Sequence, residues 1–137
     1  MILTVEQAGK IRRILRDSKT IAVVGLSPKP HRPSHRVACY LMEQGYTIIP
    51  VNPGQDTLLG LDCYPNLRAI PTRVDMVDIF RRPEAIMGII EDAIAVGARF
   101  IWMQEGIVNE QAAAKAEAEG LIVIMDRCTM IDHMNLL

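Results

Sequence analysis

A doubly wound parallel α/β sheet of five strands is the fold that the sequence predicts, on three observations. Short β-branched runs alternate with longer amphipathic stretches along the chain, the pattern of parallel strands joined by helical crossovers. Hydrophobic residues make up 50% of the chain and aromatics only 4%, so the core must be built from Ile, Val, Leu, Met and Ala, as suits strands covered on both faces. A length of 137 residues fits one domain, spanning 1–137. Such a domain buries roughly two-thirds of its unfolded surface and needs no disulfide or metal.

Each element has its own warrant. Thr4 with Gln7 three residues on makes a capping box, and Ile11, Ile14 and Leu15 give residues 4–17 one apolar helical face. Thr20 to Gly25 reads as a buried strand. Ser34 is placed to cap a helix carrying Val37, Ala38, Leu41 and Met42, which stops at Gly45. Tyr46 to Val51 is the second strand, and Pro50, with no N–H to give, belongs near a strand end or at an edge. Residues 53–73 are long for a loop and should hold a short extra strand or turn. Val74 to Phe80 is the third long strand. Pro83 opens a helix with Ile86, Ile89, Ile90, Ala93 and Ile94 that ends at Gly97. Arg99 to Met103, a helix from Asn109 to Glu119, Leu121 to Met125 and a short helix from about Thr129 complete the chain. The order is that of a Rossmann-like sheet with right-handed crossovers.

The formal charge of −1 argues against a nucleic-acid mode, which needs a basic face. Three cysteines, Cys39, Cys63 and Cys128, without CxxC spacing read as free thiols in a reducing cytoplasm. The first residues lack a signal-peptide pattern, and no apolar run reaches the roughly 18–20 residues of a membrane span. The expected location is cytoplasmic.

Open α/β sheets bind ligands outside the carboxyl ends of their strands, where the strand order reverses. Here each apolar run breaks into polar or cationic residues: Gly25-Leu26-Ser27-Pro28-Lys29, Asn52-Pro53, Arg81-Arg82, Gln104-Glu105-Gly106 and Asp126-Arg127-Cys128. The first turn is the sharpest case. Gly25 allows a tight turn and close approach of a ligand. From Ser27 to Arg36 stand Lys29, Arg32 and Arg36, with His31 and His35 and no acid, a local charge of about +3 at a helix N-terminus. That pattern reads as a phosphate site; the alternative is a solvated basic loop. The nicotinamide fingerprint is missing, since Ser27 and Pro30 stand where its later glycines belong and Asn52 where its acid belongs. The P-loop pattern is absent too.

At these residues the sequence resembles the small stand-alone CoA-binding protein family, related to the N-terminal domain of the succinyl-CoA synthetase α subunit. The stretches that carry the resemblance are Val24 to Ser27, Pro33-Ser34, Pro50 to Pro53, Gly60 with Cys63-Tyr64-Pro65, Ile70-Pro71, Val77 to Arg82, Trp102 to Gly106 with Asn109, and Met125 to Cys128. The resemblance implies a coenzyme A site made from Gly25, Leu26, Ser27 and Lys29, from Val51, Asn52 and Pro53, from Phe80 and Arg81, and from Gln104, Glu105 and Gly106. It makes Lys29, Arg36 and Arg81 phosphate partners, and lets Ile49, Val51 and Phe80 flank the adenine. Relatives carry a lysine after the Asn-Pro pair, where this chain has Gly54-Gln55-Asp56. The resemblance also implies that the synthetase's second domain, with its phosphorylated histidine, has no counterpart here, so a thioester-forming ligase is unsupported.

The leading expectation is a CoA- or acyl-CoA-binding carrier, sensor or regulatory module without catalysis of its own. The rivals are an enzyme working through Glu105 as base or Cys128 as nucleophile, its thiol sensitised by Arg127, and a structural subunit with a decayed site. Asp126-Arg127 is equally readable as an internal ion pair. Cys39, Tyr40, Trp102 and the methionines are expected to pack, and His31 with His35 lack further metal ligands. No nucleic-acid or membrane partner is expected. An unknown protein partner or a homo-oligomer is open, with Ile70 or Leu136 as an apolar flank for pairing.

Overall fold

The computed structural model describes residues 3–137. Thr4 Oγ1 accepts the Gln7 amide at 3.0 Å and starts α1 (Val5–Asp17), which buries Ile11, Ile14 and Leu15. Next come β1 (Thr20–Val24), α2 (Pro33–Glu43) and β2 (Thr47–Val51). The long segment contains an antiparallel pair, β3 (Thr57–Leu58) and β4 (Leu61–Asp62), and a 3-10 turn at Leu67–Ala69, where Asn66 Oδ1 accepts the Ala69 amide. The remainder is β5 (Met76–Ile79), α3 (Ile86–Ala95), β6 (Phe100–Met103), α4 (Glu110–Ala118), β7 (Ile122–Ile124) and α5 (Thr129–Leu136).

Five parallel strands make the main sheet, in the order β2-β1-β5-β6-β7. The chain winds from β1 outward to β2, then returns to the other side of β1 with β5. The order therefore reverses between β1 and β5, which is where a ligand crevice opens.

Side chains alternate across this sheet because the strand period is two. Ala22, Val24, Val77, Ile79, Ile101 and Met103 pack with Ile86, Ile90 and Ala93 of α3 and the buried alanines of α4. Ile21, Val23, Met76, Phe100 and Trp102 pack with the apolar stripes of α1 and α2 and with Leu136 of α5. Small alanines on α4 let that helix lie close to the sheet. Asp78 falls on the second face and is the one charged residue that a sheet strand buries completely.

One expected cap differs. Helix α2 starts at Pro33 with Arg32 in the cap position and no side-chain cap. Ser34 Oγ is turned back to accept the Ser27 amide at 3.0 Å instead. Pro50 does lie in the edge strand, and the carboxyl end of the outer side of β2 is covered: Tyr64 N–H donates to Pro50 O at 3.1 Å and Asn52 N–H to Tyr64 O at 2.9 Å. Ile70 and Leu136, expected as a pairing flank, are partly buried against the two cores. The large apolar residues that reach solvent are Val5, Val108, Ile131, Met134 and Leu137. No helix among the described residues is long and apolar enough to cross a membrane.

Candidate functional site

The first turn is locked before any ligand arrives. The Lys29 amide donates to Ser27 Oγ at 3.1 Å, and Asn52 Nδ2 donates to Leu26 O at 3.0 Å. His35 Nδ1 lies 2.9 Å from Ser27 O; a carbonyl only accepts, so the hydrogen sits on Nδ1. Gly25 donates its amide to Val51 O at 2.9 Å and has φ +87°. The glycine is required by the protein itself: a Cβ there would lie 2.5 Å from Phe80 O and 2.9 Å from Arg81 Cδ. The sequence suggested room for a ligand, but the close neighbour is the next strand's end.

This turn, the uncapped start of α2 and the end of β5 enclose a cleft of about 420 Å³, lined by Gly25, Ser27, Lys29, Arg32, Pro33, Ser34 and Phe80. Such a volume lies in the usual range for small-molecule sites. No acid lines it, and neither Lys29 nor Arg32 forms a salt bridge among the described residues. Two cations, a hydroxyl and the positive end of a helix dipole converge on one concavity, a set suited to phosphate oxygens. A smaller recess of about 100 Å³ adjoins it across the switch point, with Val24, Val51, Pro53, Leu67 and Ile89 in its walls beside the polar Asn66, Arg81 and Asp92.

The expected residues divide among several places. Gly25, Ser27, Lys29 and Phe80 line the cleft, and Pro53, Val51 and Arg81 line the recess. Arg81 packs its stem near Gly25, so it shares the rim with Lys29. Arg36 is exposed one helical turn on and does not line the cleft; Arg32 takes that position. Leu26 and Ile49 are buried in the core, so Leu26 offers the site only backbone. Asn52 is a clamp, since its Oδ1 also accepts the Gly54 amide at 2.8 Å. Asp56 is exposed and does not line the cleft, so the missing loop lysine puts no acid into it.

Gln104 is not available to a ligand on this rim. It is buried, and its Nε2 donates to Asp78 Oδ1 at 2.6 Å and to Thr129 Oγ1 at 2.9 Å. Thr129 Oγ1 donates in turn to Asp78 Oδ2 at 3.1 Å. Burial pushes the Asp78 carboxyl up to about 7, against the pull of those two hydrogen bonds. Neither Asp78 nor Thr129 stands out in the sequence as a site residue; the visible signal is one acid inside an otherwise apolar strand.

Glu105 lies in a separate hollow with Asp126, Arg127, Cys128, Ile131 and Asp132. There the Gly106 amide donates to Asp126 Oδ1 at 2.7 Å. Arg127 grips Asp132 with two bonds of 2.7 and 2.8 Å, so the ion pair tying down α5 uses Asp132 and not Asp126. With Arg127 so engaged, burial dominates at Cys128 and raises its thiol, the opposite of a sensitised nucleophile. Tyr40 does more than pack: its hydroxyl lies 2.7 Å from His133 Nδ1.

Residues 19–134 match the protein family described as CoA binding domain. The chain is 43% identical over 124 residues to the uncharacterized protein YneT of Bacillus subtilis, covering 90% of this chain and 92% of that one. A solved structure, a hypothetical protein from Pyrococcus horikoshii OT3, superposes with a TM-score of 0.94 at 40% identity, over 99% of this chain and 97% of that one. Acetate–CoA ligase [ADP-forming] II of Archaeoglobus fulgidus is 29% identical over 103 residues, 74% of this chain but 15% of the ligase.

Proposed function

The chain belongs to the CoA-binding domain family, and from that premise we propose that it binds coenzyme A or an acyl-CoA at the β1/β5 rim as a carrier, sensor or regulatory module of the cytoplasm. The observation that carries this reading is the acid-free cleft in which Lys29 and Arg32 stand unpaired beside Ser27 and the start of α2. Coenzyme A carries a pyrophosphate and a third phosphate, and unpaired cations beside a helix N-terminus suit such a polyanion. Lys29, Arg32 and Ser27 would hold phosphate oxygens. Phe80, half-buried in the cleft wall, would offer its ring to the adenine, and Arg81 would reach phosphate from the adjoining recess.

A binding role without catalysis is favoured by the state of Cys128, a buried thiol raised by burial. Glu105 lies in the Arg127–Asp132 hollow and does not line the cleft. The test is thermal melting with CoA, dephospho-CoA, NAD and ATP. A ligand at about 100 times its Kd adds about 2.7 kcal/mol, or roughly 5–10 °C for a domain of this size. A rise with CoA supports the reading, and a rise with NAD alone rejects it.

A further inference from the structure

We propose, on the reading that coenzyme A binds this rim, that its binding draws a proton from solvent onto Asp78. Asp78 has no exposed surface, and its hydrogen bonds come from two neutral donors, Gln104 Nε2 at 2.6 Å and Thr129 Oγ1 at 3.1 Å. No salt bridge reaches it among the described residues. An ionised carboxylate offers about four acceptor sites, so two neutral donors leave the anion poorly compensated in a low-dielectric interior.

The register sets this carboxyl beneath the rim. Asp78 pairs with Val23 of β1, two residues before Gly25, and with Trp102 of β6; Phe80 follows two residues on along β5. At 3.2–3.4 Å per residue the rise from Asp78 to Phe80 is about 7 Å. The core on that face of the sheet brings little countercharge. The buried α2 residues Val37, Ala38 and Leu41 are apolar, as is Ile124 of β7. Cys128 is the titratable neighbour that feels its charge, and Asp132 is neutralised by Arg127. Burial already pushes the Asp78 carboxyl up to about 7, so its ionised and neutral forms are nearly balanced at neutral pH.

Negative charge delivered to the rim repels the buried carboxylate through protein that screens it weakly. The neutral acid is then favoured, and the proton comes from the buffer. Linkage makes the effect reciprocal: protonating Asp78 tightens polyanion binding by the same factor.

The test is calorimetric titration of CoA into the full chain at about pH 7, in two buffers of different ionisation enthalpy, for wild type and Asp78→Asn. The ¹³C signal of the Asp78 carboxyl is followed against pH with and without CoA. The wild type should take up more protons per CoA than Asp78→Asn, and CoA should raise the proton affinity of Asp78 roughly tenfold. Equal uptake in both proteins, or an unmoved Asp78 titration with CoA bound, overturns the linkage and leaves the binding reading intact. Absence of CoA binding to wild type sinks both. If Asp78→Asn does not fold, the carboxyl titration of the wild type decides alone.

Discussion

Gly25 and Phe80 meet so closely that a Cβ on the glycine would lie 2.5 Å from the Phe80 carbonyl oxygen. The glycine's φ of +87° adds backbone strain for any other residue. Gly25→Ala must therefore shift β5 away from β1 at the point where the cleft opens. A loss of roughly 2–4 kcal/mol is expected, read as a drop in melting temperature on the order of 10 °C. A melting curve matching wild type would show that the two strand ends tolerate separation.

The cations of the rim should not be equivalent. Lys29 and Arg32 line the cleft, while Arg36 is exposed on α2 and does not. Lys29→Ala and Arg32→Ala should each weaken CoA about tenfold or more, as loss of a charge-assisted hydrogen bond does. Arg36→Ala should change affinity little. Calorimetry at two salt concentrations checks this, since the first two variants should also flatten the salt dependence.

Asp78 gives an unusual pH profile. Its folded value, about 7, lies above the ordinary 3.8, so the folded chain holds more protons than the unfolded chain between those limits. The contribution of this group to stability is therefore greatest in acid and falls as pH rises from about 4 to 7, by on the order of 4 kcal/mol. His133 acts in the opposite sense, because burial lowers its value and disfavours the charged form. The decisive measurement is the difference in denaturant-derived stability between wild type and Asp78→Asn across that range. A difference that stays constant with pH refutes a raised Asp78.

The fork between Arg127 and Asp132 holds α5 to the end of β7. Asp132 is 3% exposed in its side chain and Arg127 19%, so removing one partner strands a largely buried charge. Asp132→Ala should lose about 3–5 kcal/mol, and the freed loop should expose Cys128. Faster reaction of Cys128 with a thiol reagent than in wild type, located by mass spectrometry, is the expected result; an unchanged rate would mean that α5 stays docked without the fork.

Much of this architecture was legible because strand and helix periods are written directly into residue order. The alternation of faces, the Asn109 cap at Ala112 and the break in residues 53–73 all follow from local chemistry. The Lys29 cluster was legible too, as cations with no nearby acid. A polar residue after a strand looks the same in sequence whether it faces solvent or, like Gln104, turns inward to a buried acid. Asp78 and Thr129 lie 51 positions apart, and only the register of β5, β6 and the start of α5 brings them together. Ser34 is ambiguous for a similar reason: its hydroxyl can serve the helix start or the preceding loop, and it accepts the loop amide of Ser27.

The covering of β2 by the Tyr64 segment has a consequence for self-association. A sheet whose edge already bonds to its own chain at Pro50 and Asn52 offers a foreign strand only a shortened ladder there. The opposite margin is β7, three residues long. Continuous growth of the sheet from molecule to molecule needs two receptive margins, and the Tyr64 bridge shortens one of them, so head-to-tail fibre formation through the native sheet is disfavoured while a two-fold pairing across β7 stays geometrically open.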